Sequence, residues 1–481
     1  MKPFFLDEPE LEFGDGARHI DVRYGLTLNG ALDRHLDSAP KVVRVGVIGS
    51  ANNVEGVLSW IDSCRTGIEG KDTHRTMLFP AFPGFGDSGP LCNFVVDDRL
   101  VDTISAREAK EISDKQTEDA FFAASSGRYL EGARDLIDKG NADVVVCLLP
   151  EEFVKRIDVP DGETSGPRSR RRLRTQDRFV WHDAFKAATL RLPRPVQVCR
   201  PATYGGGIHR YTRDGRAVKD TQDEATRAWN FFCALYYKAG GVPWRLLRSP
   251  SDLATCFAGI SFYHDPSSET MRTSIAQIFN ERGEGVIVRG GPAQVDEKDK
   301  TPHLSEVDAN DLLRKLLAVY KREHRNTPAR LVCHKSSYFS EEELAGCKAA
   351  VDGLEIDSYD LLSMRRSRTR LYRSGAYPPL RGTAVTHSDG ALIYTNGSVD
   401  FYRCYPGLYT PRMLDIRFDH VEQSHRALLG EVLGLTKMNW NSTEMATFEP
   451  VTLDAARGVG SILRYAPADD HGLQSRFSFF M

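Results

Sequence analysis

The chain has 481 residues, 41% of them hydrophobic and 27% charged, and a formal net charge of −3. That length gives room for roughly two to four domains and a large core. The near-neutral charge excludes a global electrostatic footprint for nucleic acid but leaves a local basic groove open. No apolar run approaches a membrane span and no signal peptide opens the chain, so a soluble, cytoplasmic protein is expected. The nine cysteines include no C-x-x-C pair and read as buried, reduced thiols.

Residues 1–40 mix Pro, Gly and Asp without a strong period and read as short strands and turns packed on a larger body. Val42–Ile48 has a buried-strand pattern, ends at Gly49-Ser50 and precedes an amphipathic helix near Glu55–Cys64. Residues 67–120 are turn-rich. A helix near Ala120–Lys139 and a strand at Asp143–Leu149 follow, an alternation that argues for an α/β domain with a mostly parallel sheet. Asp158–Arg178 is polar and reads as an exposed loop; its arginines are Arg168, Arg170, Arg171, Arg172, Arg174 and Arg178. Next come a helix at His182–Thr189, a strand at Val196–Cys199, a glycine loop at Gly205–Gly207 and a helix from Thr221 to Ala239. A domain boundary falls near Pro243–Asp252.

The second half opens with the strand Thr255–Tyr263, and strands near Ser274–Asn280 and Val286–Arg289 follow it. A helix covers Ser305–His324, a short strand Arg330–Cys333 and a helix Ser340–Ala350. Strands at Gly382–Thr386, Ala391–Thr395 and Met413–Phe418 precede a final helical pair, Glu422–Gly434 and Leu453–Tyr465. Strands, then a helix between strands, then a C-terminal helix is the order of an RNase H-like domain. The reading is therefore α/β throughout, in three parts: an N-terminal segment 1–40, a Rossmann-like domain 41–247 and an RNase H-like domain 248–481.

Two glycine motifs carry little chemistry. Val45-Gly-Val-Ile-Gly-Ser50 lacks the three-glycine spacing of a dinucleotide fingerprint, and Gly205–Gly207 lacks the Lys-Ser/Thr of a P-loop. A strand ending in a turn and a flexible turn are the readings they support.

Four polar residues are more informative: His182, Lys186, Gln197 and Lys238. His182 and Lys186 are four apart, so on a helix they share a face. Lys238 closes an aromatic helix that Gly240-Gly241 stops. Each alone reads as a surface polar residue. Cations and an amide converging on one spot would hold a phosphate.

In this order, followed by Ala239-Gly-Gly-Val-Pro-Trp244, the four residues resemble the pocket in which the MID domain of Argonaute proteins holds a guide strand's 5′ phosphate. A further family lysine, one helical turn before Lys238, is replaced by Ala234. In many prokaryotic relatives a divalent cation and the terminal carboxylate complete the pocket. The resemblance therefore implies Mg²⁺ held by Gln197, the guide phosphates and the Met481 carboxylate.

The second half resembles a PIWI domain, whose active members need carboxylates that hold two metal ions about 4 Å apart. Ser261, in Ala258-Gly-Ile-Ser-Phe262, stands at the usual aspartate position, and Ser336, in His334-Lys-Ser-Ser337, at the second. The last ligand should fall near Thr436–Asn441, which offers Asn439 or Asn441. Neutral groups do not offset two divalent charges, so slicing should be absent. Asp265, Asp389 and Glu444 read as loop carboxylates. The rival expectation is a guide-dependent nuclease whose metal site is rearranged around such a residue.

The resemblance covers nearly the whole chain, including Glu8–Phe13 and Tyr24-Gly-Leu26, and leaves no room for the N and PAZ domains of long Argonautes. It implies the short prokaryotic class, a MID–PIWI chain that pairs as a heterodimer with an APAZ protein fused to a TIR or Sir2 NAD-hydrolysing domain, with a larger oligomer on activation. Such pairs use a guide RNA to recognise single-stranded invader DNA, then deplete NAD in defence against plasmids or phage. Within PIWI, Arg365, Arg366, Arg368 and Arg370 are expected on a nucleic-acid backbone. The 168–178 arginines serve equally as channel lining or as a solvated loop.

Overall fold

In the strand Val42–Ser50, alternate residues are apolar on both faces, the pattern of a strand covered on two sides. Val43, Val45 and Val47 meet the helices Ala51–Arg65 and Glu224–Lys238. Ile48 turns the other way, toward the helices Glu118–Asp138 and Trp181–Thr189. The computed structural model describes residues 3–481 apart from 87–88, 160–178, 206–208, 213–215, 219–221, 248–252, 265–270, 280–284, 297–299, 355, 373, 375–377, 408 and 468–471, with backbone only for 274–279. The arginines 168–178, Gly206, Gly207 and Asp265 lie outside the described residues.

The first sheet is parallel. Its order is Asn93–Val95, Val42–Ser50, Val144–Leu148, Val196–Cys199, with Val101–Ile104 also pairing with Val42–Ser50. Within the turn-rich 67–120 stretch the structure forms two short strands and the helix Ala106–Ser113, which Ser105 caps by accepting from the Glu108 N–H. A second unexpected helix, Val22–Asn29, starts at Asp21, whose carboxylate accepts from the N–H groups of Arg23 and Tyr24.

The second sheet has ten strands. Its centre is three parallel strands, Thr255–His264, Arg330–Lys335 and Ser358–Arg366, and the flanking pairings are antiparallel. The helices Glu306–His324 and Glu341–Asp352 cover one face. The helix Val451–Leu463 covers the other, close enough that a Cβ on Gly259 would stand 2.0 Å from the Thr452 carbonyl oxygen. Ser358–Arg366 (SYDLLSMRR) is a central strand that hydrophobic pattern does not reveal, because Asp360 and Ser363 are buried within it. Asp360 is neutralised by Arg330 at 2.6 Å and accepts from the N–H groups of Glu422 and Gln423.

The N-terminal segment extends the ten-stranded sheet and builds a small sheet of its own. Pro3–Phe5 forms an edge strand on Thr383–Thr386, and Leu11–Glu12 lies between Arg245–Leu246 and Arg18–His19 in a separate three-stranded sheet. Glu8 takes Arg381 at 2.9 Å and Lys437 at 2.8 Å, both buried. Eight of the nine cysteines are buried and all nine are free thiols. No helix among the described residues is long and apolar enough to cross a membrane.

Candidate phosphate-binding site

Three elements of the first sheet's layer build the site. Trp181–Thr189 is held by its aromatic face: Trp181 and Phe185 stack at 4.9 Å, and the Trp181 indole donates to Ser125 Oγ. This leaves His182 half exposed, 3.0 Å from Asp183. Lys186, one turn on, is drawn inward to 1% exposure, and its Nζ donates to the Val196 carbonyl. The next residue on that strand is Gln197. Its Nε2 donates to Val198 O, while Oε1 is buried with no partner.

Lys238 is the last residue of Glu224–Lys238, a helix buried on all sides from Phe231 onward. Gly240, at φ +95°, ends the helix, and the N–H of Gly241 closes back on Tyr236 O. Asp33 fixes this turn from outside: it accepts from Tyr236 Oη at 2.6 Å and from the Val242 N–H at 2.8 Å. Lys238 is 4% exposed and its Nζ has no hydrogen-bond partner.

The electrostatics follow from burial. Desolvation lowers Lys186 to about 8. It pushes Lys238 well below the ordinary lysine value, and the nearby charge of Lys186 pushes it further. No ion pair reaches either lysine among the described residues. Two adjacent buried ammonium groups without a counter-charge are costly. An anion with several oxygens would satisfy both through charge-assisted hydrogen bonds. Gln197 adds an unpartnered oxygen, a hard donor that fits Mg²⁺; with the amide turned over, Nε2 would donate to a phosphate oxygen instead.

A cleft of about 110 Å³ adjoins Lys238 and is also lined by Arg194, Gly240, Gln474 and Arg476. Met481 lies beside it, in the seam with Tyr237 and Trp440. Two neighbours escaped the sequence reading. Arg464, at the end of the C-terminal helix, has a buried, unpartnered Nε, and the Tyr465 hydroxyl accepts from the Val180 N–H at the entry to the His182 helix. Asp33 is the third omission. None carries a motif, because their roles depend on packing between distant segments.

In the ten-stranded sheet, Ser261 lies within Thr255–His264 and Ser336 just past the end of the neighbouring Arg330–Lys335, where the Ser336 N–H donates to Ile260 O. Asn439 and Asn441 lie in the loop that follows the helix His425–Leu435. Trp440 between them packs on Tyr237 and Trp244, and Thr443 bonds Asn230, which ties this loop to the Glu224–Lys238 helix. Glu449 stands by the end of Ser358–Arg366, 3.4 Å from Arg366 and 2.6 Å from Arg457. Asp389 and Glu444 are loop residues, Glu444 lying 3.5 Å from Gln222. Among the described residues no group of three or more His, Cys, Asp and Glu side chains is placed to hold a metal ion. Arg365 and Arg366 end a strand, and Arg368 and Arg370 follow in exposed, irregular backbone.

No family model matches the chain, and no curated protein does. Solved structures do. Clostridium butyricum Argonaute, bound to a guide DNA and a 19-mer target DNA, matches at TM-score 0.65 and 16% identity over 97% of this chain and 53% of its own. Drosophila Piwi matches at 0.58 and 13%, over 99% and 56%. A. aeolicus Argonaute matches at 0.55 and 14%, over 93% and 51%. The chain thus spans about half the length of the structures it matches. The fold is the MID–PIWI arrangement: a Rossmann-like parallel α/β layer followed by an RNase H-like sheet.

Proposed function

We propose that this chain anchors the 5′-phosphorylated end of a guide strand between Lys186 and Lys238 and recognises a target nucleic acid through the paired guide. The observation that carries the reading is the pair of buried ammonium groups without a counter-anion. The fold supports it, since a structural neighbour was solved with guide and target DNA bound. In this reading Lys186 and Lys238 neutralise the phosphate and His182 contacts the first nucleotide. Gln197 bonds the phosphate, or with the Met481 carboxylate holds a Mg²⁺ that adds the charge Ala234 does not supply. Base pairing, rather than side chains, reads the target.

The finer assignment extends the resemblance in sequence. The guide is RNA and the target single-stranded DNA. Slicing is absent because Ser261 and Ser336 offer no charge to metal ions. Target recognition activates a heterodimeric APAZ partner with a TIR or Sir2 NAD-hydrolysing domain, in prokaryotic defence. Purification from a host carrying the native operon, followed by sequencing and end-labelling of the bound nucleic acid, tests this. Short RNAs with 5′ phosphates, together with an APAZ protein, are the expected outcome. Fragments without a common 5′ end would overturn it.

A further inference from the structure

The register of the ten-stranded sheet puts Lys335, Ser363 and Arg417 side by side, with Ser363 opposite both others. Arg365, two residues after Ser363, extends the same face to the strand ends. There Tyr338, two residues beyond Ser336, offers its ring to both arginines. The Arg365 guanidinium carbon lies 4.8 Å from the ring centroid and that of Arg417 lies 5.0 Å from it. A shared aromatic platform limits the rotamers of two long side chains that would otherwise sweep freely.

Charge balance separates these two arginines from their neighbours. Arg366 is compensated by Glu449, which Arg457 shares. Arg368 and Arg370 are exposed and held by no carboxylate or ring among the described residues. Arg365 has no ion pair among the described residues. Arg417 meets Asp419 through Nε, at 3.2 Å, and its side chain stays 44% exposed. Asp419 is itself buried and accepts from Ser363 Oγ. What remains is a pair of oriented guanidinium groups with open N–H edges, beside the turn after Arg330–Lys335 that carries Ser336 and Tyr338.

We propose that Arg365 and Arg417, positioned by Tyr338, form a metal-free site for a phosphodiester of the nucleic-acid backbone. The inference rests on the guided-recognition reading. It assigns the positive charge at these strand ends to two fixed guanidinium groups, so that a strand is held there without divalent ions. It also narrows the 365–370 run to one anchored member and adds two residues, Tyr338 and Arg417, that the run does not contain.

The test loads the full chain with a 5′-phosphorylated RNA and measures binding of complementary single-stranded DNA across a KCl series. Because one phosphodiester is neutralised there, Arg365→Gln with Arg417→Gln makes the log–log salt slope shallower by about 0.7 to 0.9 and weakens binding roughly tenfold or more. Tyr338→Leu keeps the slope but weakens binding, because the charges remain and their orientation is lost. Arg368→Gln with Arg370→Gln leaves both unchanged. Binding by the wild type with an unaltered slope in the Arg365/Arg417 variant overturns this site alone. No DNA binding by the wild type overturns the guided-recognition reading, and the site with it.

Discussion

Lys186 and Lys238 are buried close enough together that the charge of one depresses the pKa of the other, and no carboxylate stands between them among the described residues. A pH dependence follows. The folded pKa of Lys186 is about 8, against 10.5 for an ordinary lysine. Between these values the unfolded chain binds more protons than the folded one, so the free protein gains stability as pH rises through that window. A bound phosphate favours the charged lysines and reverses the sense. Guide binding should take up protons above about pH 8 and weaken as pH rises further. Calorimetry in buffers of different ionisation enthalpy measures the uptake; none at that pH would contradict the assignment.

Lys238→Met removes a buried charge and keeps the volume of its stem. The free protein should become more stable by about 1–4 kcal/mol, as when a buried ionic group gives way to a well-packed apolar one. The same change should abolish preference for a 5′ phosphate. Thermal denaturation of the ligand-free variant checks the first half, and a lower midpoint would count against it.

Glu8 ties the N-terminal segment to the second sheet. Burial pushes its carboxyl up, but Arg381 and Lys437 outweigh this and hold it below its usual value. Glu8→Ala would leave two buried cations without their partner, at a cost of about 3–5 kcal/mol. This stability is present above the ordinary glutamate value of 4.5 and is lost as pH falls through the lower folded value. Denaturant unfolding of the variant measures it; a change near zero would mean that the segment is not held here.

Gly259→Ala tests the contact between the second sheet and its C-terminal helix. The added Cβ would meet the Thr452 carbonyl oxygen at 2.0 Å, a backbone atom with no rotamer to yield. The expected loss is about 3 kcal/mol. Unchanged stability in urea unfolding would show that the helix shifts freely.

Much of this was legible in the sequence where periodicity and spacing reflect local structure. Val196–Cys199 has the expected bounds, and the helices around Lys186 and Lys238 lie within a few residues of theirs. Ser358–Arg366 was not legible, because its buried Asp360 and Ser363 are satisfied by Arg330 and Asp419 from other strands. In the site, spacing placed His182 and Lys186 on one helix face but not the depth of either. His182 stays half exposed while Lys186 is buried, a difference set by the strand beneath. The course of the 439–441 loop was not legible for a similar reason: its asparagines flank Trp440, which is drawn to Tyr237 across the seam between the sheets.

The central claim is that Lys186 and Lys238 exist to hold a terminal phosphate. The most direct measurement compares the affinity of the purified full chain for one RNA carrying either a 5′ phosphate or a 5′ hydroxyl, in the wild type and in Lys186→Ala with Lys238→Ala. The account predicts at least a tenfold preference for the phosphate in the wild type, about 1.4 kcal/mol, and none in the variant. Equal affinity for the two RNAs in the wild type, or an undiminished preference in the variant, would contradict it.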